Sequence, residues 1–307
     1  MIEPIPEQGG VLVTGRGWAA PKPLGSKVLL YLPSALLCLA ILLPVFWMLV
    51  TSLKLPEEVV LDPYAFLPTH WDVGNYPAAL QSANFTLFFF NSGSISIASA
   101  ILQVALCGGA GYAFARLPFP GRGPLFALTL ATIMVPPQVT IVPLFVLLKD
   151  VPLVGGNGLN GQGGFGLLNS YHGLLTPHIV GTFGIFLMRQ FFLTLPGELA
   201  DAARIDGAGE FTICWRVYVP LTGSAMATLA IFSFQDTWND FLWPLVIVKT
   251  TSMQTLQLAL SIFQQEYSTQ WTLLMAATAM ICIPIVILFI AFQRYFRQGV
   301  VLSGLKG

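Results

Sequence analysis

Six long stretches of this chain carry almost no charge, at roughly 28–53, 86–115, 124–148, 167–188, 217–248 and 271–293, and charged residues gather between them. Each exceeds the about 18 apolar residues that suffice for a hydrocarbon core of about 30 Å at a helical rise of about 1.5 Å per residue. Strands fit less well, because membrane barrels read as alternating segments of about ten residues. The pattern predicts an all-α integral membrane protein with six transmembrane helices. Interruptions add detail. Pro136, Pro137 and Pro143 predict kinks in the third stretch, with the freed carbonyls satisfied inside the bundle or by water in a cavity. Bundle architecture accounts for these prolines, and so does a broken helix beside a transport route. In the second stretch Ser92, Ser96 and Ala100 form a small-residue stripe, and Gly108, Gly109 and Gly111 predict close backbone approach. The fifth stretch is broken by Asp236 and Asp240.

Composition agrees with this class. With 55% hydrophobic and 9% charged residues over 307 positions, and a mean hydropathy of +0.74, a soluble domain could not cover its surface with polar side chains. Basic residues set the orientation. With the N-terminus inside, eleven of the fourteen Lys and Arg fall on the cytoplasmic side and only Lys54, Lys149 and Lys249 outside, as the positive-inside rule requires. Both termini are then cytoplasmic, as is the loop 193–219. The first stretch starts too late and runs too long for a cleaved secretory signal. Residues 1–27, Pro- and Gly-rich over 1–21, read as a disordered cytoplasmic tail. The six-helix domain covers 28–293, and 294–307 form a second cytoplasmic tail. Gly occupies seven of the twelve positions 155–166, so the external loop 150–166 is expected not to order by itself. It reads as a passive connector or, alternatively, as a partner-contacting loop.

Several chemistries are excluded or disfavoured. Cys38, Cys107, Cys214 and Cys282 are scattered, which implies neither a disulfide nor a metal site. His172 and His178 are six apart, not the four that puts two imidazoles on one metal, and read as ordinary interfacial or packed histidines. No Lys follows a Gly directly, so a phosphate-binding Walker A loop is absent and nucleotide energy must come from another subunit. No catalytic residues are expected.

Two polar segments remain. In Glu198-Leu-Ala-Asp-Ala-Ala-Arg-Ile-Asp-Gly207, Pro196 suits a first helical turn, and Glu198 and Asp201 lie near the positive end of the helix dipole. Asp206-Gly207 ends that helix with a turn, Gly207 being free to take φ > 0. A second short helix is expected to have one apolar face, with Phe211, Trp215 and Val219 spaced i, i+4, i+8, before Pro220. The other segment is Gln235-Asp-Thr-Trp-Asn-Asp-Phe-Leu-Trp-Pro244. Asp236 lies about 24 Å of helical rise beyond Pro220, in the outer half of the membrane. Acids at that depth face the bundle interior or a wet cavity. Asp236, Asn239 and Asp240 are equally suited to line a solute path and to cap a broken helix. Trp238 and Trp243 suit stacking on sugar rings or anchoring in the interfacial belt.

The segment 196–220 resembles the "EAA" loop of the membrane subunits of binding-protein-dependent ABC importers. Trp238-Asn-Asp-Phe-Leu-Trp-Pro-Leu245 resembles the matching segment of their carbohydrate branch, and the likeness extends through Gly184-Ile-Phe-Leu-Met-Arg-Gln-Phe-Phe192 and the tail 293–307. The chain is most similar to the smaller, six-helix permease of maltose-type and glycerol-phosphate-type systems. The resemblance implies that Glu198, Asp201, Ala202, Ala203, Asp206 and Gly207 form a coupling helix docked on an ATPase, with Asp201 standing where the family usually has Glu. It also implies that the C-terminal tail reaches the ATPase pair. The partners implied are a sister permease, two ATPase subunits that bind ATP and Mg, an external solute-binding protein and the lipid bilayer of a bacterial or archaeal cell membrane, with no nucleic acid. No cofactor is expected on this chain, and the solute is a sugar, a sugar-like polyol or a glycerol phosphate. A second reading, a stand-alone secondary transporter using Asp236 and Asp240 for a coupling ion, leaves the 196–220 loop unexplained and finds no inverted repeat.

Overall fold

The computed structural model describes residues 24–264 and 269–304, with side chains over 31–264 and 269–294. The chain divides into two units, Met1–Met48 and Leu49–Gly307. The first holds most of α1 (Leu24–Thr51), a helix that carries Pro33 and Pro44. Most of the expected N-terminal tail, through Pro23, lies outside the described residues, and helix begins at Leu24 rather than after residue 27. The described residues form helices and connecting turns; apart from one isolated bridge, Gln264 to Thr269, they form no strand.

In the second unit two short helices, α2 (Pro56–Leu61) and α3 (Asn75–Gln81), lead into the 32-residue α4 (Phe85–Arg116). The third stretch is not kinked but broken. Helix α5 (Arg122–Ala131) and a 3-10 turn at Thr132–Met134 meet α6 (Pro137–Lys149) at 103°. Pro136 holds Val135 extended, at ψ 114, which removes the last residue that could carry the helix through. Pro143 sits inside α6 without ending it.

The fourth stretch is also interrupted. Helix α7 (Tyr171–Leu175) and a 3-10 turn at Thr176–His178 end before Gly181, and α8 (Thr182–Thr194) restarts beyond it. Next come α9 (Glu198–Ile205) and α10 (Glu210–Thr212), a π-helical stretch Ile213–Tyr218, and α11 (Val219–Leu221). The fifth stretch follows as α12 (Gly223–Trp238) and α13 (Leu242–Ile247); the helical run 210–221 meets α12 at 87°. Helix α14 (Leu256–Ala259) precedes α15 (Trp271–Gly304), which carries the expected C-terminal tail as continuous helix to Gly304. Among the described residues three helices are long and apolar enough to cross a membrane, Tyr31–Thr51, Phe85–Arg116 and Trp271–Arg294, and five spans result if each bent pair is one.

Helix α4 is the central post. Its first half packs with α12 and α15 through Phe85, Phe88, Phe234, Trp238, Ala277 and Ile281. Its second half packs with α8 and the π-helical stretch through Tyr112, Met188, Phe192 and Tyr218. Ser92 and Ser96 are buried as the small-residue stripe predicts, and Ser99 joins them. Gly111 is required by sterics, because a Cβ there would lie 2.7 Å from Met188 Cβ and 2.9 Å from the Arg189 nitrogen. Gly109 has nothing within 4 Å, so its expected packing role is not seen.

The Gly-rich loop, expected not to order, is folded onto itself. Asn157 is buried and donates to the carbonyls of Lys149 (2.7 Å) and Val151 (2.9 Å), while its Oδ1 accepts from Gly164 N (2.8 Å). A Cβ on Gly155, Gly161 or Gly166 would collide with backbone carbonyls of Gly166, Asp150 and Leu148 respectively, and all three take positive φ. The glycines therefore permit close backbone packing around one asparagine, a property that composition alone reads as flexibility.

Candidate functional site

Three helix breaks converge on one cavity of about 880 Å³. Pro137, Gln138, Thr140 and Ile141 at the start of α6 form one wall; Pro177, His178, Gly181 and Phe183 at the α7–α8 break form another; Ser233, Asp236, Asn239 and Asp240 at the α12–α13 break form the third. The breaks follow from local chemistry. Pro177 lacks an N–H, and a Cβ on Gly181 would lie 2.8 Å from Gln103 Oε1, so the chain there is extended and close to α4. The freed carbonyl of His178 accepts from Ser99 Oγ (3.0 Å) and Gln103 Nε2 (3.1 Å) on α4. Ser99 contacts Ser233 Oγ (3.1 Å) and accepts from Thr237 Oγ1 (2.9 Å), tying the same site to α12. Freed backbone groups at a break are thus satisfied within the protein, as they must be away from water.

At the centre, the His178 ring lies between two carboxylates. Its Nε2 is 3.0 Å from Asp240 Oδ2 and its Nδ1 is 3.4 Å from Asp236 Oδ2. The His178 and Asp240 side chains are 12% and 18% exposed and Asp236 is 72% exposed, so Asp236 is the member that faces open space. Asp240 also caps α13, its Oδ1 accepting from Trp243 N at 3.3 Å. Asp240 thus uses one oxygen on the His178 ring and the other on the start of α13. Asn239 is exposed and accepts from Gln257 Nε2 at 3.3 Å.

Trp238 does not belong to this set. It is buried, stacked on Phe234 at 5.4 Å, with its N–H donated to the Ile281 carbonyl. Helical phase explains the correction: Trp238 lies two residues from Asp236, about 200° round the helix, so one faces the cavity and the other the core. Trp243 lines the cavity but is itself largely buried, donating Nε1 to Gly173 O at 2.9 Å. His178 is the residue that sequence reasoning undervalued. A histidine beside a proline inside an otherwise apolar stretch, with two acids in the next stretch, was the available signal. Among the described residues no group of His, Cys, Asp and Glu is arranged to hold a metal ion.

The second polar segment forms a tight helix–turn–helix. Gly197 O accepts from Ala200 N (2.9 Å), Gly207 takes φ +81, and Gly207 N and Ala208 N return to the carbonyls of Arg204 (3.0 Å) and Ala203 (2.9 Å). This is the αL helix stop expected of an Asp-Gly pair. Glu198, Asp201, Ala202, Asp206 and Gly207 are exposed and Ala203 is half-buried, so the six expected docking residues share one outward-facing element. Arg204 donates to Asp201 Oδ1 (2.8 Å) and Glu210 Oε1 (2.9 Å), and the Tyr112 hydroxyl donates to Glu210 Oε2 (2.6 Å). The Tyr112 and Arg204 hydrogen bonds hold the Glu210 carboxyl below the usual carboxylate range, and Glu210 raises the Arg204 guanidinium in turn. Arg116, at the end of α4, donates to the carbonyls of Phe192 and Leu195, and Tyr218 Oη donates to Pro196 O (3.1 Å).

Phe211 is 77% exposed, Trp215 and Val219 are partly buried, and the fully buried positions are Ile213, Cys214 and Tyr218. The π-helical stretch Ile213–Tyr218 winds more slowly than an α-helix and shifts the buried face away from the i, i+4, i+8 positions.

Comparisons with known proteins give the family. The chain is 35% identical over 252 residues to the arabinooligosaccharides transport system permease protein AraQ of Halalkalibacterium halodurans, covering 82% of this chain and 81% of that one. It is 32% identical to AraQ of Bacillus subtilis, covering 92% and 96%. The sn-glycerol-3-phosphate transport system permease protein UgpE of Agrobacterium fabrum is 28% identical, covering 90% and 96%. A crystal structure of a bacterial ABC transporter involved in the import of the acidic polysaccharide alginate shares the fold, with a TM-score of 0.74 at 23% identity over 90% of this chain and 99% of that one. Residues 105–302 match the family described as binding-protein-dependent transport system inner membrane component. The chain belongs to that family: it is a membrane-embedded permease subunit of an ABC importer, a transport subunit and not an enzyme.

Proposed function

We propose that this permease crosses the membrane six times with both termini inside, carries a sugar through the cavity at the three helix breaks, and couples to an ATPase through residues 198–207. One continuous helix, the two bent pairs, the interrupted α7–α8 and two further long helices supply the six crossings. A sister permease completes the pathway, two ATPase subunits bind ATP and Mg, and a solute-binding protein delivers the solute from outside. The observation that carries the docking role is the exposed helix–turn–helix of α9 and α10. Its backbone turn is closed by Gly207, and it presents Ile205 (87% exposed) and Phe211 (77% exposed) outward. Apolar side chains held rigidly in an aqueous loop fit a partner's cleft.

The cavity supports an uncharged, polyhydroxylated solute over a glycerol phosphate. Its charged lining residues are His178, Asp236 and Asp240, with amides from Gln103, Gln138 and Asn239 and the rings of Phe183 and Phe232. Among the described residues no Lys or Arg lines it. Carboxylates and amides suit neighbouring hydroxyls, aromatic faces suit sugar C–H faces, and two carboxylates repel a phosphate.

The reading is tested by mass spectrometry of what co-purifies with the tagged chain from its native host, wild type beside Gly207→Val. An ATPase and a second permease with wild type, and less ATPase with the variant, are expected. A lone chain that still transports would refute the reading.

A further inference from the structure

We infer that Glu210 is a positioning residue that carries movement of α9 into the membrane helices through the phenol of Tyr112. The inference rests on the proposed docking of 198–207 on an ATPase and adds how the element is attached behind its docking face.

Packing gives α9 little grip. Ala200 is its one buried residue among those described. Polar contacts must therefore hold it, and they do so at two points. On the entry side, Arg116 and Tyr218 bind the carbonyls of Leu195 and Pro196 just before the helix. On the exit side, the two Glu210 oxygens are divided: Oε1 accepts from Arg204 Nε at 2.9 Å, and Oε2 accepts from the Tyr112 hydroxyl at 2.6 Å. Arg204 uses a second arm on Asp201 at 2.8 Å. A chain of charge-assisted bonds thus runs from the first turn of α9, past the Gly207 turn, into α4.

The inner end of this chain is closely packed. Tyr112 is 3% exposed, and its ring stands edge-on to Phe192 of α8 at 5.8 Å and lies 5.7 Å from Tyr218. A pull on its hydroxyl is therefore a pull on the α4–α8 contact, which close-packed interiors transmit rather than absorb. The turn does not need this link to form. Backbone bonds from Gly207 N and Ala208 N close it without any side chain. What the Arg204–Glu210–Tyr112 chain adds is attachment.

The test uses the complete complex in proteoliposomes and reads solute accumulated per ATP hydrolysed. Tyr112→Phe removes the hydroxyl and keeps the ring, and Glu210→Gln removes the charge and keeps the size. Each is expected to leave the amount of bound ATPase unchanged and to lower the ratio about three- to tenfold. The double variant should be no worse than the more affected single, because both remove one link. Wild-type ratios in both singles, independent multiplying effects in the double, or loss of ATPase from Tyr112→Phe would overturn the inference. Wild type in the same vesicles tests the docking reading separately: without bound ATPase that reading fails, and this inference fails with it.

Discussion

At the scale of single residues, His178 concentrates the consequences. Its ring contacts Asp240 at 3.0 Å and Asp236 at 3.4 Å, so one side chain from the α7–α8 break joins two from the α12–α13 break. His178→Ala is expected to lower the melting temperature of the purified protein, followed by intrinsic tryptophan fluorescence. Adding Asp236→Asn should recover part of the loss, since the two sites interact by about 0.5–3 kcal/mol and their effects do not add. Simple additivity would show that the ring and Asp236 are independent despite their 3.4 Å separation. Asp240→Asn keeps an acceptor for Trp243 N and loses the ion pair, so it should reduce uptake per complex more than it reduces the amount of complex. Normal turnover with poor recovery would assign Asp240 to capping alone. These residues were partly legible in the sequence: the depth of Asp236 and Asp240 marked them, whereas the pairing with His178 depends on two breaks meeting, which no local pattern encodes.

At the scale of elements, the turn of α9 depends on Gly207, and the contact of α4 with α8 depends on Gly111 and Gly184. Gly207 holds φ +81, a conformation that a β-branched residue adopts only at a cost of about 1–3 kcal/mol. Gly207→Val should therefore insert normally and yet bind less ATPase, measured as the ATPase-to-permease ratio after purification. Gly111→Leu places side-chain atoms where Met188 already sits, so it should sharply reduce the monodisperse protein recovered by size-exclusion chromatography, while Gly109→Ala, with open space around it, should not. The tie from α9 to α10 also has a pH signature. Glu210 has a folded-state pKa below its unfolded value, so its contribution is fully present above the ordinary Glu range near about 4.3 and is lost only as pH falls through the depressed value. Amide hydrogen exchange over 198–210, corrected for the intrinsic rate, should stay constant from neutral pH down to about 5 and rise only below the ordinary range. A rise beginning near neutrality would contradict this sign. Element types were readable because apolar length and Asp-Gly turn chemistry are local. The breaks at Pro136, Gly181 and Asn239 were not all readable: prolines announced the first, but the second needs Gln103 of α4 against Gly181, and the π-helical shift at Ile213–Tyr218 leaves no proline or glycine as a marker.

At the scale of the whole molecule, the two polar regions lie at different places along the same helices. Helix α4 contributes Gln103 to the cavity wall, with Ser99 holding the His178 carbonyl behind it, and Tyr112 and Arg116 to the 198–210 element, and α8 begins at one and ends at the other. A rigid displacement of either helix therefore alters both regions, which is the mechanical requirement for turning ATP-driven closure into exposure of a solute site on alternate sides. The most direct test of this account is uptake, into proteoliposomes that contain the complete complex with the solute-binding protein outside and ATP inside, of a radiolabelled sugar that this binding protein retains. The account predicts accumulation that requires both internal ATP and the binding protein, is unaffected when ion gradients are collapsed, and is lost with Gly207→Val. Accumulation by this chain alone, driven by an ion gradient and indifferent to ATP, would contradict it.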